Sequence, residues 1–280
     1  MTYSPPLMKD GLRRLARFLA PELLNWRRSY YLRRGVRASF GASQRFFRDR
    51  LYPGNAPPVV LSGPFQGMHY LDETIWGPIT PKWVGTYEME LSDIIEELVH
   101  RGYSRVLNIG CAEGYYAVGL AMRDPAVEVL AFDTDPVSRM QARRLAKLND
   151  VSDRIHVEGE CKHGRISTLI TRKTLLMVDI EGYEVSLLDP VKIPRLLDTD
   201  LLIEVHEDTP FTKQATAEEQ LTKRLAASHI IERRVSSDRT AWIAEHENIW
   251  RDKLSYEEIA KAIDEDRHRP TLWLWARSKD

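Results

Sequence analysis

Three side chains able to handle a proton stand at the ends of two short apolar runs. Asp179 and Glu181 close the run Leu175 to Ile180, and His206 follows Leu201 to Val205. Runs of this length bounded by polar residues read as buried strands, so all three groups are expected at strand ends, where side chains of neighbouring strands can meet. An unperturbed imidazole titrates at about 6.5. His206 is therefore the candidate general base at neutral pH, with Asp179 orienting a substrate or taking the proton itself. Glu181 joins them as a candidate catalytic residue, although with Gly182 it could do no more than shape a turn. Asp179, Glu204, His206 and Glu207 also have the donor types of a magnesium or manganese site. Alternation along a strand sends Glu204 and His206 to one face and Glu207 to the other, so no metal is assigned.

A second constellation is suited to binding. Asn108-Ile109-Gly110-Cys111-Ala112-Glu113-Gly114 lies directly after one strand candidate, Arg105 to Gly110, and directly before a helical pattern, Tyr115 to Met122. In an open α/β sheet the ligand sits outside the carboxyl ends of the strands, and a glycine turn there lets backbone amides approach it closely. Asp133 ends the next apolar run, Val127 to Phe132, where a carboxylate can accept hydrogen bonds from both hydroxyls of a ribose; Asp135 could serve instead. The pair points to an adenosine-containing ligand. The dinucleotide fingerprint needs a third glycine, which this turn lacks, and Glu113 at the helix start would repel a pyrophosphate. A ligand carrying an ammonium and a sulfonium fits better, and S-adenosylmethionine is such a ligand. Its candidate contacts are Glu88, Asn108, Gly110, Cys111, Glu113, Gly114, Tyr115, Asp133 and Asp179, with Glu160, beyond the third strand, placed for the adenine ring.

The elements that must hold these residues alternate along the chain. Helical patterns cover Thr86 to His100, Tyr115 to Met122, Val137 to Leu148 and Ala217 to Ala227; strand candidates are Arg105 to Gly110, Val127 to Phe132, Ile155 to Val157, Leu175 to Ile180 and Leu201 to Val205. Strands apolar on both faces and separated by helices imply a doubly wound, mostly parallel α/β sheet. His229 to Val235 and Thr271 to Ala276 are expected to close its edge as an antiparallel pair, making seven strands. Between them 238–269 reads as a charged insertion with one helix around Tyr256 to Asp264. Trp76, Trp83, Trp242 and Trp250 are candidate walls for a substrate.

Residues 1–80 read as an extension and 81–280 as the ligand-binding domain. The extension is basic, since residues 1–50 carry twelve Lys or Arg against three Asp or Glu. Arg13, Arg14, Arg17, Arg27 and Arg28 interleave with Leu12, Leu15, Phe18, Leu19 and Trp26, a pattern of amphipathic helices. Packing against its own domain or a sister subunit, a membrane-surface contact and an acidic substrate are all open to such an arm; no nucleic-acid motif accompanies the charge. Tyr52 to Pro81 is dense in Pro and Gly and reads as turns. The composition, 43% hydrophobic and 29% charged, is that of a globular protein. No run approaches the roughly 20 apolar residues of a membrane span, and no secretory signal opens the chain, so the cytoplasm is the expected compartment. The two cysteines, Cys111 and Cys161, form no CxxC pair and are expected to be reduced thiols.

Residues from about 81 to 210 resemble the FkbM-like family of class I methyltransferases. The family's first motif, D-V-G-A-N-I-G-Y-Y, is met by N-I-G-C-A-E-G-Y-Y at Asn108 to Tyr116, with both glycines and both tyrosines in place and Asn108, Ala112 and Glu113 departing. An amide at 108 cannot pair with the ammonium of the methionine end, a task Glu113 could take over. The second motif, D-I-E-G-x-E, is met by Asp179 to Glu184. Tyr87-Glu88 resembles the family's Tyr-Glu before the first strand, and Leu202 to Glu207 its strand ending in an acid and a histidine. The resemblance implies that the Asp179 strand lies between the strands of the glycine turn and of His206, and that the reaction is O-methylation of a small hydroxylated metabolite, a sugar, polyketide or peptide-derived molecule. N-methylation, a non-catalytic cofactor-binding scaffold and, less favoured, a nicotinamide-dependent oxidoreductase are the alternatives.

Overall fold

The computed structural model describes residues 43–54, 57–74, 76–207, 216–236, 238–267 and 270–279. The chain divides into two compact units, Met1–Ser43 and Gln44–Asp280. Residues 1–42, most of the basic arm expected at the N-terminus, lie outside the described residues.

Seven strands form one sheet: β1 (Arg105–Ile109), β2 (Glu128–Phe132), β3 (Ile155–Glu158), β4 (Thr174–Val178), β5 (Asp200–Val205), β6 (His229–Val235) and β7 (Leu272–Ser278), in the order β3-β2-β1-β4-β5-β7-β6. The first five are parallel, and β7 inserts between β5 and β6 antiparallel to both. The edge pair expected from sequence is thus present, and β4 lies between β1 and β5 as the resemblance implied. Successive strand residues point to opposite faces. Leu175 and Met177 enter the core on one side, with Ile94, Ile95 and Leu98 of α3 (Ser92–Arg101), Val118 of α4 (Tyr115–Arg123) and Leu145 of α5 (Pro136–Leu148). Leu176 and Val178 enter the other, with Ile166 of α6 (His163–Leu169), Leu187 of α7 (Glu184–Leu187) and Leu221 of α8 (Ala217–Leu225). Helices therefore cover both faces, as a parallel sheet requires.

Local chemistry starts these helices where they are needed. Asp135 caps α5 by accepting from the amides of Val137 and Ser138, with Pro136 at the first helical position,. A capping box at Thr216 and Glu219 starts α8,.

Three expectations change. The unit boundary falls after Ser43, and residues 44–80 belong with the sheet domain. The Pro and Gly turns there carry apolar residues into the core, because Val60, Phe65, Met68, Tyr70 and Leu71 between them are all buried. The insertion at 238–269 forms three helices in place of one: α9 (Thr240–Glu245), α10 (Glu247–Trp250) and α11 (Tyr256–Ala262). Their apolar residues Trp242, Ile243, Trp250 and Ile259 make a small core with Phe47 and Leu51 of α1, helical through residues 43–51, and Val84 of α2 (Thr80–Val84). The helix expected from Thr86 begins as a 3-10 turn at Met89–Leu91 and becomes α-helical only at Ser92. The short helices α6 and α7 were not legible; four to seven residues hold too few turns for a period to emerge.

Candidate functional site

Register brings the site residues into one row. Ile109 pairs with Phe132 on one side and with Val178 on the other, and Val178 pairs with Ile203. Gly110, Asp133, Asp179 and Glu204 are the next residues of these four strands, so all four stand at the carboxyl edge around the point where strand order reverses. A cavity of about 740 Å³ opens there. It is lined by Trp76, Gly110, Asp133, Glu160, Asp179, Glu181, Glu204 and His206 among the residues expected from sequence, and also by Lys82, Tyr87, Glu265 and Arg267.

Gly110 permits the arrangement. Its φ is 85°, and a Cβ there would sit 1.5 Å from the Asp179 carbonyl oxygen, so only glycine lets the tips of β1 and β4 approach. The amides of this turn face inward, contrary to expectation. Those of Gly110 and Cys111 both donate to the Phe132 carbonyl at 2.8 and 2.9 Å, and that of Gly114 donates to the Cys111 carbonyl. The Ala112 amide donates to Asp133 Oδ2 at 2.9 Å, and the Asp135 amide to Oδ1 at 2.7 Å. Burial pushes the Asp133 carboxyl up to about 6 against the pull of these two bonds,. A carboxylate has about four acceptor sites, so Asp133 keeps capacity for a ligand in the cavity.

At the other end, His206 Nδ1 lies 3.0 Å from Glu184 Oε1, and Nε2 lies 3.9 Å from Asp179 Oδ1 and 3.6 Å from Glu181 Oε2. One carboxylate oxygen each of Asp179 and Glu181 and one ring nitrogen of His206 lie within 4.8 Å of one another. Burial lowers the imidazole pKa, but the hydrogen bond to Glu184 and the charges of Glu204, Glu184 and Glu181 outweigh it, leaving His206 raised above 6.5. Asp179 keeps 30% of its side chain open to the cavity, yet it sits deep in the cleft among other acids. Desolvation and the Glu204 and Glu88 charges push its carboxyl well up, and Glu204 shares a hydrogen bond with it. Glu181, between them, adopts a left-handed backbone with φ 55°, a conformation uncommon for a residue other than glycine. Glu207 turns away as alternation required: its carboxylate caps α8 by accepting from the amides of Ala217 and Glu218.

Six residues expected to touch a cofactor do not line the cavity. Glu113 is fully buried and faces the segment before the sheet: Lys82, Tyr70 and Thr74 donate to its Oε1. It locks that segment over the glycine turn and cannot replace an acid at position 108. Glu88 is buried and bonded by Arg267 and Tyr116; burial and the Glu204 charge push its pKa to about 8. Tyr115 packs edge-on against Phe65, Tyr70 and Tyr87. Gly114 lies against Ala142 of α5, Cys111 is a buried free thiol, and Asn108 is a buried strand residue whose Oδ1 has no partner among the described residues. Of the four tryptophans, only Trp76 reaches the cavity; Trp83, Trp242 and Trp250 fill cores.

Sequence reasoning missed two groups that shape the site. Arg267 donates to Glu88, Glu204 and Glu265, joining the insertion to the cavity wall across a separation no local motif reveals. Glu184, fully buried, is the second. Its Oε1 also accepts from the amides of Ile180 and Gly182 at 3.1 Å each, and its place as the last residue of D-I-E-G-x-E was the available signal.

No protein-family model and no curated protein matches this chain. Among solved structures, it is similar to an O-methyltransferase from Bacillus cereus in complex with SAH, at 11% identity over 65% of this chain and 78% of that one, TM-score 0.42. It is also similar to the O-methyltransferase TomG from Streptomyces achromogenes, involved in tomaymycin synthesis and solved with SAM, at 11% identity over 65% and 77%, TM-score 0.41. A third, the Thermoplasma acidophilum protein 1320, shares 18% identity over 72% and 95%, TM-score 0.41. No helix among the described residues is long and apolar enough to cross a membrane.

Proposed function

We propose that the chain is an S-adenosylmethionine-dependent methyltransferase acting on the oxygen of a small hydroxylated molecule. The observation that carries this is the direction of the glycine-turn amides. A pyrophosphate needs such donors aimed at it; here the amides of Gly110, Cys111, Ala112 and Gly114 are spent inside the protein. The cavity instead presents carboxylates: Asp133, Asp135, Glu160, Asp179, Glu181 and Glu204. The two lysine or arginine side chains among its described lining residues are already engaged, Lys82 by Glu113 and Arg267 by Glu88, Glu204 and Glu265. That donor set suits a cationic ligand with a ribose and disfavours a nicotinamide dinucleotide, whose phosphates would meet like charge.

Asp133 would hold the ribose hydroxyls, Glu160 would lie toward the adenine, and the cluster of Asp179 and Glu204 would face the sulfonium end. The bound cofactor supplies a methyl group activated on positive sulfur. His206 Nε2 would take the proton of the acceptor hydroxyl as the methyl group passes from sulfur to that oxygen, leaving S-adenosylhomocysteine, and the imidazolium would later release the proton to water. Asp179, whose carboxyl is pushed well up by burial and neighbouring acids, would orient the acceptor. Trp76 and Tyr183, both on the cavity wall and half exposed, offer flat surface to it. The FkbM-like motifs at Asn108 to Tyr116 and Asp179 to Glu184 support the same assignment.

Asp133→Asn tests the ribose contact. Losing a charged acceptor is worth about 1.5–3 kcal/mol, so S-adenosylmethionine should bind roughly 10–100-fold more weakly by calorimetry. Because the wild-type carboxyl titrates at about 6, it is an ionised acceptor above that pH and a neutral acid below it. Wild-type affinity should therefore fall as pH drops through 6, and the variant should lose that dependence. Equal affinities and parallel pH profiles would place the ribose elsewhere.

A further inference from the structure

We propose that Glu184 is the positioning residue that makes His206 a base: its buried carboxylate takes the Nδ1–H and so leaves the Nε2 lone pair facing the cavity. The inference rests on the assignment of His206 as proton acceptor. Glu184 is 0% exposed. One of its oxygens accepts from the Ile180 and Gly182 amides and from His206, while Oε2 has no partner among the described residues.

Burying a carboxylate with one oxygen unsatisfied is expensive. If the only task were to receive two loop amides, a neutral acceptor such as glutamine would serve with a smaller desolvation penalty. The charge has a use in the third bond, where it fixes the tautomer and stabilises the imidazolium formed when Nε2 takes a proton. The same carboxylate pins the loop that carries Asp179 and Glu181, so orientation of the base and placement of its neighbours come from one group. Among the described residues, the charged and titratable groups facing the imidazole are Asp179 and Glu181 from the loop after β4, Glu184 from α7 and Glu204 from β5. Of these, the Glu184, Glu204 and Glu181 charges favour protonation of the ring, and Glu184 is the one in contact with Nδ1.

The test follows the ring nitrogens of His206 by long-range proton–nitrogen correlation in the full chain labelled at histidine, saturated with S-adenosylhomocysteine. His206→Gln identifies the signal. In the wild type, the neutral ring should carry its proton on Nδ1 and titrate above 6.5. Glu184→Gln should move the midpoint down, and the acid limb of turnover should move with it while KM changes little. A wild-type ring protonated on Nε2 when neutral, or a midpoint unmoved in Glu184→Gln, would overturn the proposal. Should Glu184→Gln not fold, Glu184→Asp, which withdraws the carboxylate by one methylene, should also lower the midpoint, and an unmoved one would overturn it equally. Failure of the wild type to bind S-adenosylhomocysteine would instead sink the cofactor assignment, and the histidine spectra would still judge the pair.

Discussion

His206→Ala should lower methyl transfer by about 10²–10⁴-fold, the usual contribution of a positioned general base, while S-adenosylmethionine affinity stays near that of the wild type. The split follows from geometry. His206 lies beyond β5, facing Asp179 and Glu181, whereas Asp133 and Glu160, the residues assigned to the nucleoside, sit beyond β2 and β3. Removing the imidazole leaves the nucleoside end untouched and takes away the one neutral nitrogen base in the cluster. The wild-type rate should rise with pH along an acid limb above 6.5, because the raised imidazole must lose its proton before it can accept one. The assay is turnover with a panel of hydroxylated sugars, phenols and peptides, with cofactor affinity measured alongside. Turnover within a few-fold of wild type in His206→Ala would remove the base from His206; a large, equal loss of cofactor affinity would make it a binding residue.

Lys82→Met should destabilise the fold by about 3–5 kcal/mol, the usual penalty for stranding a buried charge. Lys82 and Glu113 are 2% and 0% exposed, and they form an ion pair. Without the ammonium, the Glu113 carboxylate keeps, among the described residues, the hydroxyls of Tyr70 and Thr74. For a domain of this size the change corresponds to a fall in melting temperature of roughly 6–20 °C. The double variant Lys82→Met with Glu113→Gln removes both charges and should regain most of the loss, since replacing a whole buried pair is often close to neutral. Thermal unfolding of both proteins distinguishes the cases. A single variant as stable as wild type would mean that Glu113 is hydrated or neutral, and that the segment before the sheet is not locked over the glycine turn by charge.

The sheet was legible because its signals are local and repeated. Apolar runs such as Leu175 to Val178 are buried on both faces, and α3, α4, α5 and α8 are long enough for a helical period to show,. Strand ends could then be placed to within a residue or two, which set Gly110, Asp133, Asp179 and His206 along one edge. What escaped was whatever depends on partners distant in sequence. Glu113 beside a glycine turn looks like a ligand contact until Lys82, carried there by α2, is seen to neutralise it. Glu88 reads as a cofactor acid until Arg267, from the far end of the chain, is found on its carboxylate. Trp83, Trp242 and Trp250 read as aromatic surface because tryptophan suits both walls and cores, and only packing decides between them. The turn amides were misdirected for a different reason: a glycine motif fixes where the chain bends, whereas the Phe132 carbonyl on the neighbouring strand decides which way the N–H groups point.

Calorimetric titration of the full chain with S-adenosylmethionine, and in parallel with NAD, probes the carboxylate-lined cavity most directly. One molecule of S-adenosylmethionine per chain should bind, with an affinity that weakens below pH 6, and NAD should give no heat of binding. Saturable NAD binding with no response to the sulfonium ligand would contradict the assignment of the site.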